Sequence, residues 1–421
     1  MAPDLPQGDA VPSEGPLAGA RAPAGSSPFS AYVHVPFCRV RCGYCDFNTY
    51  TATELGGGGD QANYAATAAR EIDLARRQLD EAGFAPRALE TVFFGGGTPT
   101  ILPAADLAAI LHSLRASWDL APGAEVTTEA NPDSVDEAYL ATLADAGFTR
   151  VSFGMQSAVP HVLHTLERTH DPERIPKVVT WAKEAGLQVS LDLIYGTPGE
   201  SLTDWLTSVT AAIECDPDHV SAYALTVEPG TKLAVQVRRG DVPLPDPDDQ
   251  ADKYEAVDDA LSAAGFQWYE ISNWAKASGG EDAMCRHNLA YWRGYDWWGI
   301  GPGAHSHLTA VYAGADSRPQ SLRWWNVKHP RTYATHLERG RGAAAGREWI
   351  GSQSRELETI MLGIRLREGL PIDAVAHENR REVAGLIARG LMDGPAAIGG
   401  RLVLTRQGRL LADGIVDQLT S

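Results

Sequence analysis

Residues 31–50 read AYVHVPFCRVRCGYCDFNTY, and the fold turns on this stretch. The opening AYVHVP is rich in β-branched and aromatic residues, the composition of a short buried strand. A loop with three cysteines follows it: Cys38, Cys42 and Cys45, with three and then two residues between them. Thiolates spaced in this way converge on one metal centre because the loop curls around it. A tetrahedral zinc site wants a fourth ligand, for which His34 is the nearest candidate, although it lies inside the strand. An iron–sulfur cubane held by three cysteines leaves one iron open to a small chelating ligand, and that is the stronger reading.

Downstream, short apolar runs alternate with amphipathic stretches. Strands are expected at 31–36, 90–95, 125–130, 150–154, 187–194 and 219–225, and helices at about 61–82, 103–117, 135–146, 160–168, 173–185 and 202–214. Gly83, Gly147 and Gly186 each stand where a helix would end in a left-handed cap. Six β–α units in series imply an α/β fold with parallel strands and right-handed crossovers. An open doubly wound sheet and a partly closed barrel satisfy this equally. The run GGGG at 56–59 has no Lys or Ser/Thr after it, so it reads as a lengthened loop rather than a phosphate cradle.

The chain divides into a tail (1–28), the β–α core (29–240), an aromatic-rich extension (241–345) and a C-terminal unit (346–421). The tail holds six Pro, six Ala and four Gly and is expected to be disordered. It contains no apolar run of signal-peptide type. The extension holds seven of the eleven tryptophans. The C-terminal unit is read as three helices, a small wing at LVLTRQGRLL and an end helix. Nine Arg against nine Asp and Glu over residues 351–421 argue against DNA binding. Over the whole chain, 36 basic and 54 acidic residues leave a formal charge of −18, which speaks against coating nucleic acid or anionic lipid. No apolar run reaches the ~20 residues of a membrane span. Five cysteines in 421 residues, an odd count, point to a reducing, cytoplasmic setting.

The C-x3-C-x2-C loop after the first strand, with Tyr44 before its last cysteine, resembles the radical S-adenosylmethionine superfamily. GGGTPT at 95–100, at the exit of the second strand, strengthens the likeness. The resemblance implies a partial (β/α)6 barrel with a C-terminal helical, winged-helix-like domain. It also implies a [4Fe-4S] cluster on Cys38, Cys42 and Cys45, with S-adenosylmethionine chelating the open iron and yielding a 5′-deoxyadenosyl radical on reduction. The matching positions for S-adenosylmethionine are Tyr32, Gly96, Gly97, Thr98, Glu129, Gln156, Arg168 and Asp192.

FFGGGTPT, VSFGMQS and LDLIYGTPGE, added to the opening stretch, narrow the resemblance to the coproporphyrinogen dehydrogenase-like branch, over about residues 30–420. Two activities occur there: oxygen-independent decarboxylation of coproporphyrinogen III, and haem chaperoning. The decarboxylases carry a further cysteine two positions after the third cluster ligand, where this chain has Phe47. They also carry a longer structured N-terminus. HNLAYW at 287–292 matches the HNxxYW haem motif of the chaperone group and makes His287 the expected haem contact. Without that likeness, a packed aromatic region would explain the same residues. Cys285, His305 and His307 are competing ligands. The resemblance therefore implies a cytoplasmic haem chaperone serving respiratory and other haemoproteins, with dimerisation, at most transient membrane association and no nucleic acid.

Overall fold

The computed structural model describes residues 6–56, 59–312 and 319–420. The apolar runs form six strands: β1 (Phe29–Val35), β2 (Leu89–Gly96), β3 (Leu120–Ala130), β4 (Arg150–Gln156), β5 (Gln188–Tyr195) and β6 (His219–Ala224). Each is parallel to its predecessor and lies beside it in chain order. A doubly wound sheet reverses its strand order at a switch point, and this sheet does not. With one hand of crossover throughout, all the helices fall on one face and the sheet curls around the other. The topology is that of a partial barrel.

The outer helices are α1 (Tyr64–Glu81), α2 (Ala104–Trp118), α3 (Glu137–Ala146), α4 (Pro160–Thr165), α5 (Ile175–Glu184) and α6 (Leu202–Glu214). Strand alternation sends Ala31, Val33 and Val35 into one core with Ile72, Leu107, Leu140, Val178 and Trp205. Tyr32 and His34 then face the concave side. Gly83, Gly147 and Gly186 follow their helices at φ +76°, +101° and +82°, as the cap positions require.

Six further strands extend the sheet: β7 (Phe266–Glu270), β8 (Asn273–Lys276), β9 (Asp296–Ile300), β10 (His305–Tyr312), β11 (Gln320–Asn326) and β12 (Ala344–Ile350). The order is β7-β8-β6-β5-β4-β3-β2-β1-β9-β10-β11-β12. β9 is parallel to β1, whereas β10–β12 and the β7–β8 pair add antiparallel. Among the described residues the sheet does not close. Trp274, Trp298 and Trp324 are buried in the main core, so this part of the tryptophan set is packing. Burying such side chains is worth roughly 1.5–3 kcal/mol each.

Two expectations change. Residues 6–28 of the predicted disordered tail form a strap: Ala20–Arg21 pairs with β10, Leu17 and Ala20 are buried, and Asp9 bridges Arg347. Arg347 also donates to the carbonyls of Pro16 (2.8 Å) and Ala18 (2.7 Å). A segment poor in large apolar residues is held here by backbone hydrogen bonds and by small residues against large ones, such as Gly8 on Trp325. Residues 1–5 lie outside the described residues, as do Gly57 and Gly58 of the glycine run.

In the C-terminal unit, the two-stranded ribbon pairs Leu370–Pro371 with Arg401–Leu402, while Arg406–Leu410, expected in the wing, is helical. Thr405 caps that helix by accepting from Gly408 N (3.1 Å). The unit has its own core around Ile364, Leu386, Leu402 and Ile415. Among the described residues no helix is long and apolar enough to cross a membrane.

Candidate functional site

The cysteine loop leaves β1 at the rim of the concave face and is pinned at both ends, because Phe37–Cys38 pairs with Tyr50–Thr51. Between these anchors Cys45 N donates to Cys42 O (3.2 Å), turning the loop. Thr98 Oγ1 lies 3.9 Å from Cys38 Sγ, and Arg168 Nη1 lies 3.8 Å from Cys42 Sγ. Burial pushes the Cys38 thiol up to about 12 and raises that of Cys45. The thiolates that ligate iron thus need a metal's charge to form. His34 is not aimed at them: its ring bonds Tyr32 OH (3.0 Å) and Asn48 O (2.9 Å).

All three cysteines line one cavity of about 550 Å³, together with Tyr32, Gly96, Gly97, Thr98, Glu129, Gln156, Arg168 and Asp192. Those expected residues therefore come together. Gly97 N and Thr98 N donate to Val35 O and Phe37 O (2.8 Å each), laying the glycine turn against the cysteine strand. A Cβ on Gly97 would stand 2.5 Å from Phe37 O, so only glycine allows that approach. Gln156 sits at φ +61° on an irregularity in β4 that aims it at the cavity. Arg168 donates to Gly154 O (2.8 Å) and leaves its Nε without a partner.

The carboxylates are the informative groups. Glu129 accepts from Gly96 N (3.1 Å), and Asp192 accepts from Ser152 Oγ (2.8 Å). Burial, then the negative charge of Asp192, raises Glu129 to about 8, and burial raises Asp192. Two carboxyls held up by desolvation beside an incompletely partnered guanidinium suit a ligand with both a cationic and an anionic end. An S-adenosylmethionine molecule, with sulfonium, ammonium and carboxylate, fits that donor set, and three thiols around a cavity fit a multi-iron cluster.

The floor of the cavity uses residues that motif reading missed. Buried Glu125 pairs with buried Arg150 at 3.2 Å. It also accepts from the backbone N–H of Arg286 and His287 (3.0 Å each), capping helix α7 (Arg286–Trp292) from the opposite strand. Arg150 in turn donates to the carbonyls of Asp282, Ala283 and Met284. A charged residue within each of two parallel strands was the available signal.

His287 reaches the cavity wall but is saturated. Its Nδ1 bonds Thr91 Oγ1 (2.6 Å), its Nε2 bonds Tyr291 OH (3.0 Å), and its ring stacks on Phe93 at 5.1 Å. Burial lowers its pKa to about 3. Both ring nitrogens are thus hydrogen-bonded to hydroxyls in this arrangement. Burial also raises the Cys285 thiol.

Residues 32–211 match the family model of the Radical SAM superfamily. The chain is 50 % identical to the heme chaperone HemW of Mycobacterium tuberculosis, over 94 % of this chain and 96 % of that protein. It is 36 % identical to the heme chaperone HemW of Escherichia coli, over 82 % and 84 % of the two chains. The solved structure of the Escherichia coli coproporphyrinogen III oxidase HemN superposes with a TM-score of 0.77 at 21 % identity, covering 96 % of this chain and 92 % of that one, a likeness of fold. A three-cysteine loop at the mouth of a partial barrel and these extended identities lead to one assignment: the chain belongs to the radical SAM superfamily and, within it, to the HemW family.

Proposed function

We propose that this chain is a haem chaperone: it binds haem and passes it to recipient haemoproteins, respiratory enzymes among them. Cys38, Cys42 and Cys45 hold a [4Fe-4S] cluster, and Tyr32, Gly96, Gly97, Thr98, Glu129, Gln156, Arg168 and Asp192 hold S-adenosylmethionine. When bound, the pair supplies one-electron chemistry at the barrel mouth. The chain's own residues orient the ligand: the glycine turn lets the backbone approach, Glu129 and Asp192 meet positive charge, and Arg168 meets negative charge. His287, on the motif helix, is the haem contact in this reading, its ring placed by Thr91 and Tyr291.

The observation that carries the chaperone reading over decarboxylation is Phe47, 57 % exposed at the position of the decarboxylases' further cysteine. The ordered N-terminal strap no longer separates the two readings. In functional terms, 29–240 is the cofactor barrel, 241–345 the haem-facing extension and 346–421 a docking unit. A cytoplasmic location, homodimer formation and transient membrane contact belong to the same reading, and the −18 charge supports its exclusion of nucleic acid.

The test is anaerobic transfer from haem-loaded protein to an apo-haemoprotein, followed by the recipient's own absorbance. Transfer faster than from free haem supports the reading. Conversion of coproporphyrinogen III to protoporphyrinogen by the reconstituted protein would overturn it.

A further inference from the structure

Behind the part of the cavity wall that carries Gln156 and Arg168 stands a histidine with no part in the site so far. His170 is 4 % exposed, and neither of its ring nitrogens completes a hydrogen bond among the described residues. Thr169, one residue before it, lines the cavity, whereas His170 does not. A buried imidazole without a partner costs stability, and such groups collect at functional sites.

Its place is fixed from both sides. Helix α4 ends where Glu167 takes φ +55° and Arg168 N donates to Leu163 O (2.9 Å), which turns the chain back toward β4. Beyond His170, the Asp171 carboxylate accepts from Glu173 N (3.0 Å), and Arg174 donates to Pro132 O and Val135 O (2.7 Å each). The run 168–170 is thus tied at each end and lies against the last residues of β4. There Gln156 holds φ +61°, a conformation that persists only where neighbours enforce it. Ser157 N donates to Met155 O (2.7 Å), closing a three-residue turn centred on Gln156. Arg168 Nη2 donates to Gly154 O on the other side. A Cβ on Gly154 would stand 2.8 Å from Gln156 Nε2 and 3.2 Å from Arg168 Nη2, so the amide and the guanidinium meet over this glycine.

The Met155 carbonyl that closes the turn also faces the His170 ring and, with Asp171, favours its protonated form. Burial and then the Arg168 charge outweigh both and lower the His170 pKa to about 4, so the ring is neutral with one N–H to give. A neutral ring adds no charge beside the Arg168 guanidinium, which stays available to an anionic group. We propose that His170 is a positioning residue for S-adenosylmethionine: in the bound state it donates to Met155 O and so holds Gln156 and Arg168 toward the ligand. This rests on the cofactor-site reading above and adds to it a residue outside the cavity.

The test is equilibrium dialysis of S-adenosylmethionine against the anaerobically reconstituted full chain, with thermal melting and electron paramagnetic resonance of the reduced cluster on the same samples. His170→Phe keeps a ring of similar size and removes the N–H. It is expected to melt near the parent, to retain its iron, and to bind the nucleotide about tenfold more weakly, as loss of an outer partner does at a ligand site. The change that the nucleotide makes in the reduced signal shrinks with it. His170→Leu, likewise without a donor, repeats the loss, and His170→Gln, whose amide donates again, recovers affinity and signal. Parent-like affinity and signal in His170→Phe and His170→Leu overturn the proposal. So does a loss that tracks the melting temperature and is not recovered in His170→Gln. A parent chain that holds its cluster but binds no nucleotide overturns the cofactor-site reading itself.

Discussion

The barrel mouth and the cavity floor are walls of the same cavity, and they differ in what they lack. At the mouth, Glu129 and Asp192 are carboxyls raised by burial, and Arg168 has an unpartnered Nε. At the floor, Glu125 meets Arg150 and two backbone N–H groups, and His287 uses both ring nitrogens, although Arg150, like Arg168, keeps an Nε without a partner. Buried polar groups without partners are costly, so a fold keeps them where a ligand completes them. A saturated network costs little and holds elements together. The contrast lies in the carboxyls: Glu129 and Asp192 at the mouth are held up by burial, which suits a cationic ligand, whereas Glu125 at the floor is already paired with Arg150.

Predictions that break or sharpen this contrast begin at the mouth. Replacing Cys38, Cys42 or Cys45 singly by Ala should remove nearly all bound iron and sulfide, checked by elemental and sulfide analysis of anaerobically reconstituted protein. Glu129→Gln should weaken S-adenosylmethionine by about 10- to 100-fold, since a hydrogen bond to a charged group is worth roughly 1.5–3 kcal/mol. Equilibrium dialysis would read it, and parent-like affinity would erase the contrast.

The same carboxyl sets a pH dependence. Glu129 is raised to about 8 in the fold, so it binds a proton at neutral pH that the unfolded chain releases. Its contribution to stability is full below the ordinary carboxylate range and is lost as pH rises through about 8. Glu71 and Glu270, raised by burial to about 7, act with the same sign. Over pH 7.5 to 8.5, above the range in which buried His34, His287 and His307 act with the opposite sign, the apoprotein should therefore melt at progressively lower temperature. Affinity for the cationic ligand should rise over the same interval and flatten in Glu129→Gln.

At the floor, His287→Ala should act on stability first. It strands the Tyr291 hydroxyl, leaves Thr91 with Ser30 alone and empties the space beside Phe93, a loss of about 2–3 kcal/mol in denaturant unfolding. Smallest of all, Arg347→Ala should cost about 1–2 kcal/mol by freeing the Pro16 and Ala18 carbonyls, read as faster proteolysis within residues 6–28.

Much of the mouth was legible because its signals are local. A strand, a thiol loop and a glycine turn each announce themselves within ten residues, and the six expected strands lie within a few residues of the observed ones. Barrel against doubly wound sheet was not legible, since both use the same alternation and differ only in which strands become neighbours. The floor was hidden for a related reason: Glu125 and His287 are 162 residues apart and meet only through the topology. The strap was misread because Gly8, Leu17 and Ala20 gain their hold from Trp325 and β10, far along the chain.

The most direct test of the central claim is iron and labile-sulfide stoichiometry on anaerobically reconstituted protein, with electron paramagnetic resonance of the reduced sample before and after adding S-adenosylmethionine. The account predicts roughly four iron and four sulfide per chain and a signal that changes when the nucleotide binds the open iron. Stoichiometric zinc without sulfide, or a reduced signal indifferent to the nucleotide, would contradict it.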